Sequence, residues 1–304
     1  MARTNSAVVG ASGYIGGRLV DALRADGGAP RLLGRRPDAL SRRWPWADVA
    51  RLDVTEPDTI GPALDGIGTA YYLVHAMAAG EAGFAERDRD AARAFGAAAA
   101  KAGVERIVYL GGLGSSEDQL SEHLQSRQET GRQLAAAGTP VLELRAGMVI
   151  GAGSASFRML NDLVKRLPLM VTPRWVATRS QPIAIRDVVS CLIAAAEVPL
   201  SAGHVIVEIG GADVLSYREM MRRVGASRGR HPTIVTVPVL TPRLSSLWCG
   251  LVTSVPTSIA RPLIDGLRNE TIVRDDAAAR MFPDLEPLGF DAAVEEALQE
   301  AAAS

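Results

Sequence analysis

A glycine-rich turn near the start of the chain constrains the fold more than any other stretch of the sequence. Small and apolar residues at 6–9 predict a strand, and an amphipathic run over 15–23 predicts a helix. The turn between them reads Gly10, Ala11, Ser12, Gly13, Tyr14, Ile15 and Gly16. Gly10 permits a tight turn, Gly13 lets the backbone approach a pyrophosphate, and Gly16 lets the helix pack closely on the strand. With the free N–H groups of a helix N-terminus, this context predicts a dinucleotide-binding site rather than an ordinary strand–turn–helix.

Composition bounds the class of protein. The chain has 304 residues, 47% of them hydrophobic, and a net charge of -1, which predicts a globular protein with a substantial core. The near-neutral charge argues against nucleic acid as the main partner. Two cysteines, Cys191 and Cys249, are too few for a disulfide framework or a metal site, so we expect a cytoplasmic protein without metal. No leader-like segment and no apolar run of about 18 residues is present, so no membrane span is expected.

Short apolar runs alternate with helical runs along the first 150 residues. Six strands are predicted, at residues 7–9, 31–33, 49–52, 70–74, 107–110 and 141–144. A long helix is predicted over 84–102, where charged residues alternate with Ala and Phe. This alternation is typical of parallel strands joined by crossover helices.

Several short motifs together carry a family resemblance. Besides the glycine turn, they are Leu-Asp-Val at 52–54, Ile-Val-Tyr-Leu-Gly-Gly at 107–112, Val-Ile-Gly at 149–151 and Pro-Ile-Ala-Ile-Arg-Asp-Val at 182–188. Over nearly its whole length the chain resembles the atypical and extended short-chain dehydrogenases/reductases. It is most similar to the branch that includes nitrogen-regulator-like sensors and a complex I accessory subunit. Some members of that branch are enzymes, and others only bind nucleotide.

The resemblance implies a division of the chain. Residues 1–150 would form an NAD(P)H-binding domain with a Rossmann-type doubly wound parallel sheet. Residues 151–304 would form a smaller C-terminal α+β substrate cap that is interleaved with it. The ligand crevice is then expected at the carboxyl ends of the strands, beneath the cap.

The end of the second strand predicts the choice of cofactor. NAD-selective sites place an Asp or Glu here for the ribose hydroxyls, whereas this chain has Arg35 and Arg36. Guanidinium groups suit the 2'-phosphate of NADP(H). The alternative is a pair of solvated arginines, but the missing acid counts against NAD in either case.

Further cofactor contacts are implied by the resemblance. Asp53 and Val54 match the pair that contacts adenine, although Asp53 also suits a turn-initiating role. Val74 and His75 follow the fourth strand, where family members run along the cofactor, although His75 could simply end the strand. The predicted cofactor-binding residues are therefore Gly10, Ser12, Gly13, Tyr14, Ile15, Gly16, Arg35, Arg36, Asp53, Val54, Val74 and His75.

The catalytic motif of the family is absent. Members usually carry a Ser or Thr after the fifth strand and a Tyr-x-x-x-Lys on the next helix, whereas this chain has Gly112, His123 and Arg127 at those positions. Residues at i and i+4 share a helix face, so both side chains would reach the same site. We expect His123 to donate a proton and Arg127 to hold a ribose hydroxyl or an anionic substrate. The alternative is an ordinary, partly exposed pair on a helix that has lost its catalytic role.

Two stretches of the second half suggest a ligand. Residues 170–182 are aromatic and basic, and Trp175 with Arg179 would suit a planar or anionic molecule, although a Trp packed on the core beside solvated arginines fits as well. Residues 235–262 are apolar but are interrupted by four prolines, so they cannot form one membrane helix. We interpret this stretch as a mobile lid over an apolar substrate, a homodimer contact or an interfacial patch, in that order.

Two functions from different classes follow. The first is an NADP(H)-dependent oxidoreductase that reduces a carbonyl or a conjugated double bond of a mostly apolar small molecule. The second is a non-catalytic NADP(H)-binding redox sensor or assembly factor. The missing Tyr-x-x-x-Lys favours the sensor, whereas the aromatic and basic lining of the cap favours the enzyme. We favour the enzyme.

Overall fold

Short strands and helices alternate along the chain. The computed structural model describes residues 5–75, 83–115, 119–200, 203–237 and 253–303. The strands are β1 (Ser6–Val9), β2 (Arg31–Gly34), β3 (Val49–Arg51), β4 (Thr69–Tyr72), β5 (Arg106–Gly112), β6 (Val141–Ala146), β7 (Val149–Ile150), β8 (Leu169–Thr172), β9 (Arg179–Ser180), β10 (Ile183–Ala184), β11 (His204–Ile209), β12 (Leu215–Ser216) and β13 (Thr233–Thr236). The helices are α1 (Tyr14–Ala25), α2 (Pro37–Arg43), α3 (Ile60–Ala63), α4 (Phe84–Ala102), α5 (Glu122–Ala135), α6 (Ala155–Arg166), α7 (Ile185–Glu197), α8 (Tyr217–Ser227), α9 (Thr257–Gly266), α10 (Ala277–Met281) and α11 (Phe290–Ala303).

The central sheet has seven strands in the order β11-β6-β5-β4-β1-β2-β3, and every pairing in it is parallel. The strand order reverses between β1 and β4, and a crevice therefore opens at their carboxyl ends. This is the doubly wound Rossmann order, and the predicted fold class is confirmed. The seventh strand, β11, comes from the second half of the chain, so that half contributes to the central sheet itself.

Helices cover both faces of the sheet. On one face, side chains of α1, α2 and α7 pack against alternate strand residues such as Val8 and Tyr71. On the other face, α3, α4 and α5 pack against their neighbours in the strands, such as Val9 and Tyr72. Burial on both faces explains why the strands read as continuous apolar runs rather than as alternating ones.

The predicted strands lie within two residues of the observed ones. The fourth strand is the main correction, because β4 ends at Tyr72 rather than at residue 74. Val74 and His75 therefore lie beyond the last strand pairing, at the carboxyl edge of the sheet where the crevice opens. The long helix predicted over 84–102 is confirmed as α4.

The second half of the chain has a core of its own. Apolar side chains from α6, α8, α9 and α11 meet in this core, among them Phe157, Leu160, Met220, Ile264 and Val294. Helix α8 begins at Ser216, whose hydroxyl accepts a hydrogen bond from the backbone N–H of Glu219. Strands β8 and β13 form a separate parallel pair at the surface of this region.

The apolar stretch at 235–262 is only partly visible. Residues 238–252 lie outside the described residues, so the three interpretations of this stretch remain untested. In the described remainder, Pro256 precedes α9 and Pro262 lies inside it. In the described ranges, no helix combines the length and the apolar character that crossing a membrane requires.

An acidic side chain is buried in the central sheet, on the strand next to its β11 edge. Glu143 of β6 is completely buried, and its carboxylate accepts hydrogen bonds of 2.7 Å from Arg145 Nε and from His204 Nε2. Two glycines make room for it, since a Cβ on Gly111 or Gly131 would lie 2.6 Å or 2.1 Å from its oxygens. Because His204 belongs to β11, this contact joins the two halves of the chain.

Candidate active site at the carboxyl end of the sheet

The glycine turn has the shape that a pyrophosphate requires. Gly10 has a φ of 91°, and a Cβ there would lie 2.8 Å from the carbonyl oxygen of Leu73. A Cβ on Gly16 would lie 2.2 Å from the carbonyl oxygen of Gly10. Helix α1 begins at Tyr14, and Gly13 supplies no side-chain cap, so the N–H groups of the first turn are available to an anion. These residues fit the pyrophosphate of a dinucleotide.

The side chain of Tyr14 has a different partner. Its hydroxyl donates a 3.0 Å hydrogen bond to Glu300 Oε2, and Arg18 forms an ion pair with the same carboxylate. Burial, and then the charge of Glu300, raise the pKa of Tyr14 to about 12, so the phenol is neutral at pH 7. The backbone N–H of Tyr14 can therefore donate to a cofactor. Its side chain instead connects α1 to α11.

The crevice beyond the turn contains most of the residues predicted to contact the adenosine half of the cofactor. Its lining includes Gly10, Ser12, Arg35, Asp53, Val54, Val74 and His75. Arg36 does not line it, although Arg35 and Arg36 are both exposed. Within the described ranges, neither guanidinium has a hydrogen-bond partner. An anion such as a 2'-phosphate would therefore meet an unpaired positive charge at Arg35.

Asp53 has a local structural role. Its Oδ1 accepts hydrogen bonds from the backbone N–H and the hydroxyl of Thr55, at 3.0 Å and 2.8 Å. Burial acts to raise the pKa of Asp53, but these hydrogen bonds and the charges of Arg35 and Arg51 outweigh it, so the pKa is lowered. The carboxylate initiates a turn, and it also borders the crevice.

A second crevice runs from the turn toward the cap. It passes Gly13, Ile15, Leu110 and Arg127, and it reaches residues 153–156 at the start of α6. His75 lines this second crevice and also the first one, where the adenosine half of the cofactor is expected. It lines an apolar cavity beneath the cap as well. The three spaces therefore follow one another, with His75 at their junction.

Two histidines and an aspartate are connected at this junction. Nδ1 of His75 lies 2.9 Å from Asp88 Oδ2, and Nε2 of His75 lies 3.3 Å from Nδ1 of His123. The ring centroids of the histidines are 5.1 Å apart. We call Asp88, His75 and His123 the histidine relay. In the described part of the chain, Nε2 of His123 has no hydrogen-bond partner, so it is the ring nitrogen that remains available in the apolar cavity.

Sequence reasoning found both histidines but missed Asp88 and the contact between the rings. A usable signal was present. Asp88 shares a face of α4 with Ala92 and Phe95, both completely buried. A carboxylate on such an apolar stripe is rarely placed there without a partner.

Arg127 is held at the end of β5. Its Nη2 donates to the carbonyl oxygen of Leu110, and its guanidinium lies 5.4 Å from the centre of the Tyr109 ring. The Tyr109 hydroxyl in turn donates a 2.9 Å hydrogen bond to the carbonyl oxygen of Arg127. Arg127 lies one helical turn from His123. Its guanidinium lines both the second crevice and the apolar cavity.

The electrostatics keep both histidines neutral. Burial is the main reason that the pKa of His123 falls to about 2, and the charges of His75 and Arg127 add to it. Burial also lowers the pKa of His75, although its hydrogen bond to Asp88 acts in the opposite direction. Both imidazoles are therefore mainly neutral at pH 7.

The neutral state of His123 predicts a loss of stability in acid. An unfolded histidine binds a proton below about pH 6.5, whereas the folded one does not until about pH 2, so stability falls as pH falls through that window. The slope is about 1.4 kcal/mol per pH unit. Urea unfolding of His123→Gln should therefore show about 2 kcal/mol less loss between pH 6.5 and pH 5 than the wild type. The exposed His231 is the control, and His231→Gln should follow the wild type. Parallel curves for His123→Gln and the wild type would contradict the assignment.

The apolar cavity has a volume of about 240 Å³. Side chains from the inner faces of α6, α8 and α9 enclose it, including Met159, Leu160, Leu163, Met221, Leu263 and Ile264. Trp175 and Tyr217 close one side, edge to face, with ring centroids 6.3 Å apart. The Trp175 Nε1–H is buried and has no hydrogen-bond partner in the described ranges. The cavity therefore offers a mainly hydrocarbon surface.

The second residue predicted to contact substrate lies elsewhere. Arg179 is the outward residue of β9, whereas its neighbour Ser180 is completely buried. The Arg179 guanidinium is exposed and pairs with Glu270 at 2.9 Å. The structure thus brings Trp175 to the cavity but not Arg179.

The chain is similar in sequence and in fold to several known proteins. Residues 10–140 match the family described as NAD(P)H-binding. A ceramide reductase from Caulobacter vibrioides is 29% identical over 245 residues, which cover 78% of this chain and 74% of that protein. An NADPH-dependent quinone oxidoreductase from Escherichia coli, solved with NADPH, has a TM-score of 0.74 at 17% identity, covering 95% of this chain and 98% of its own. A nucleoside-diphosphate-sugar epimerase from Staphylococcus aureus also has a TM-score of 0.74, at 15% identity, covering 97% and 99% of the two chains.

Proposed function

We propose that the chain is an NADP(H)-dependent reductase of long-chain carbonyl compounds. The proposal rests on the match of residues 10–140 to the NAD(P)H-binding family and on a fold shared with nucleotide-dependent epimerases and reductases. One observation carries the proposal. The crevice that begins at the glycine turn ends in an apolar cavity, and a connected pair of histidines lies where the two meet.

The predicted residues divide among the parts of the cofactor. Gly10, Gly13 and the first turn of α1 would hold the pyrophosphate, with the backbone of Ser12, Tyr14, Ile15 and Gly16 around it. Arg35, assisted by Arg36, would hold the 2'-phosphate of NADP(H). Asp53 and Val54 would border the adenine, and Val74 and His75 would border the following ribose. When bound, NADPH supplies the hydride.

The histidine relay would supply the proton that a carbonyl reduction also needs. We call the relay loaded when the Asp88–His75 pair carries one extra proton. In this form His75 donates its Nε2–H to Nδ1 of His123, and His123 donates its Nε2–H to the substrate oxygen. As that oxygen takes the proton from His123 Nε2, His123 Nδ1 takes one from His75 Nε2. His75 keeps its Nδ1–H bond to Asp88. Only one proton leaves the relay, and water restores it.

This arrangement would replace the missing Tyr-x-x-x-Lys. In that motif a lysine lowers the pKa of the tyrosine so that it can exchange a proton. Here the donor is an imidazole, and the charge of the loaded form is placed on His75 beside Asp88 rather than on His123 beside Arg127. Arg127 would hold a ribose hydroxyl or the substrate oxygen from the other side.

The cavity supports a long apolar substrate. Its walls are mainly hydrocarbon, which suits the apolar chain of a lipid whose carbonyl lies beside His123. The relative named ceramide reductase points to the same class, since a ceramide is a long-chain lipid amide.

The test is NADPH oxidation with methyl ketones of increasing chain length and with an N-acylated long-chain amino ketone. We expect kcat/KM to rise with chain length, because each methylene transferred from water adds about 0.8 kcal/mol. Tight NADPH binding without turnover of any carbonyl or enone would instead support the redox sensor or assembly factor. Absence of NADPH binding would overturn both.

Arg35 should determine the preference for NADPH. We expect Arg35→Ala to weaken NADPH binding about 10- to 100-fold, because a charge-assisted contact contributes roughly 1.5–3 kcal/mol. Binding of NADH, which lacks the 2'-phosphate, should change little. Titration of nicotinamide fluorescence measures both affinities. Arg42→Ala, at an exposed position on α2, is the matched control. Equal weakening for NADH and NADPH would place Arg35 outside the phosphate site.

A further inference from the structure

We propose that the outer face of the β8–β13 pair docks on an anionic phospholipid surface. Strand β8 alternates in burial, so Met170 faces the core while Leu169 and Val171 face solvent. Val235 of β13 lies directly beside Val171 in the register. We call Leu169, Val171 and Val235 the strand patch. Their exposures are 55%, 53% and 45%, which makes them three of the most exposed large apolar side chains in the described ranges.

Basic residues surround the strand patch. The segments 165–174 and 217–237, which contain the two strands and the chain beside them, have eight Lys and Arg residues against one acidic residue, Glu219. Their net charge is therefore +7, whereas that of the whole chain is -1. The two segments that carry the strand patch are thus strongly basic, although one of their cations, Arg223, is paired with Asp213 and Asp291.

Several of these cations are not used inside the protein. Lys165, Arg174, Arg222 and Arg230 are exposed, and none has an acidic partner within the described ranges. Lys165 and Arg174 flank β8, and Arg230 precedes β13. Arg218 donates to the hydroxyl of Thr236 at the end of β13, so it is held beside the patch. Apolar side chains rimmed by unpaired cations match a membrane surface, where hydrocarbon lies beneath anionic headgroups.

The patch also belongs to the part of the fold that contains the apolar cavity. Helix α6 lines the cavity with Leu163 and leads through Lys165 into β8. Helix α8 lines it with Met221 and leads through Arg230 into β13. A lipid drawn from a bilayer would therefore enter the region that contacts the bilayer. This last step rests on the proposed function, whereas docking itself does not.

The experiment is flotation of the purified protein with vesicles of phosphatidylcholine alone or mixed with phosphatidylglycerol. We expect binding to the mixed vesicles that falls as salt is raised. Val171→Asp/Val235→Asp and Arg222→Glu/Arg230→Glu should each reduce it at least about tenfold. The controls are Ile206→Asp, at an exposed apolar residue of β11, and Arg42→Glu on α2, and both should bind like the wild type. Circular dichroism and NADPH titration verify that the variants are folded.

Each other result contradicts docking. Wild type that does not float with mixed vesicles, or that floats equally well with phosphatidylcholine alone, overturns it. So does a dimer in light scattering that Val171→Asp/Val235→Asp converts to a monomer, because the patch would then bind a second copy. Docking without turnover of any carbonyl compound would leave this proposal intact and overturn the reductase.

Discussion

Glutamine in place of His123 is expected to reduce kcat for carbonyl reduction by about 10²- to 10⁴-fold, the range that a positioned acid contributes. The side-chain amide of glutamine cannot accept a proton from His75 and donate another to the substrate, as the two ring nitrogens of His123 can. Proton transfer from His75 to the substrate is therefore lost. NADPH affinity should change little, because His123 lines the cavity rather than the cofactor crevices. Steady-state kinetics and nicotinamide fluorescence separate the two effects.

The connection between the histidines supplies a sharper test. If His75 and His123 act as one path, His75→Gln should lower kcat about as much as His123→Gln, and the double variant should be little worse than either. Reduction by the wild type should slow as pH rises through the lowered pKa of His75, since the loaded form is lost. His231→Gln should behave like the wild type. If the fold reductions in kcat of the two single variants multiply in the double variant, the two rings act separately. If kcat of His123→Gln equals that of the wild type, His123 has no role in the reaction.

The largest effect on stability is expected at Glu143. Alanine there would leave Arg145 and His204 without their common acceptor at a completely buried position, and breaking such a pair costs about 3–5 kcal/mol. Glu143→Gln should cost less, because its amide oxygen still accepts one of the two hydrogen bonds. Urea unfolding followed by circular dichroism measures both.

Glu129 provides the comparison. It pairs with Arg132 on the partly exposed side of α5, where a salt bridge contributes about 0–1 kcal/mol. Glu129→Ala should therefore unfold close to the wild-type midpoint. A similarly small effect of Glu143→Ala would mean that the buried contact has no net stabilising role.

Local sequence patterns were sufficient to predict the central sheet and the glycine turn. The glycine turn has few structural solutions, because Gly10 adopts a positive φ and Gly16 lies against the carbonyl oxygen of Gly10. Apolar runs of strand length predict buried strands whichever helix covers them. The length of α4 follows from its high content of Ala, Arg and Glu, which outweighs the single Gly96. These features depend on residues close in sequence.

Contacts between distant segments could not be predicted in this way. Asp88 follows His75 by 13 residues and His123 follows His75 by 48, so their connection requires the fold itself. The same holds for β11, which joins β6 only after the intervening residues have crossed the sheet. Trp175 and Arg179 had similar sequence signals, but the local turn and the alternation of β9 direct them to different places.

The bond between Tyr14 and Glu300 has a consequence for the order in which the protein is made. The two residues are 286 positions apart, and at about 5–20 residues per second a ribosome adds Glu300 roughly 15–60 s after Tyr14. The glycine turn needs only nearby strands, so it can form on the nascent chain during that interval. A dinucleotide could therefore enter before α11 has been made, and the contact between Tyr14 and Glu300 would form only afterwards.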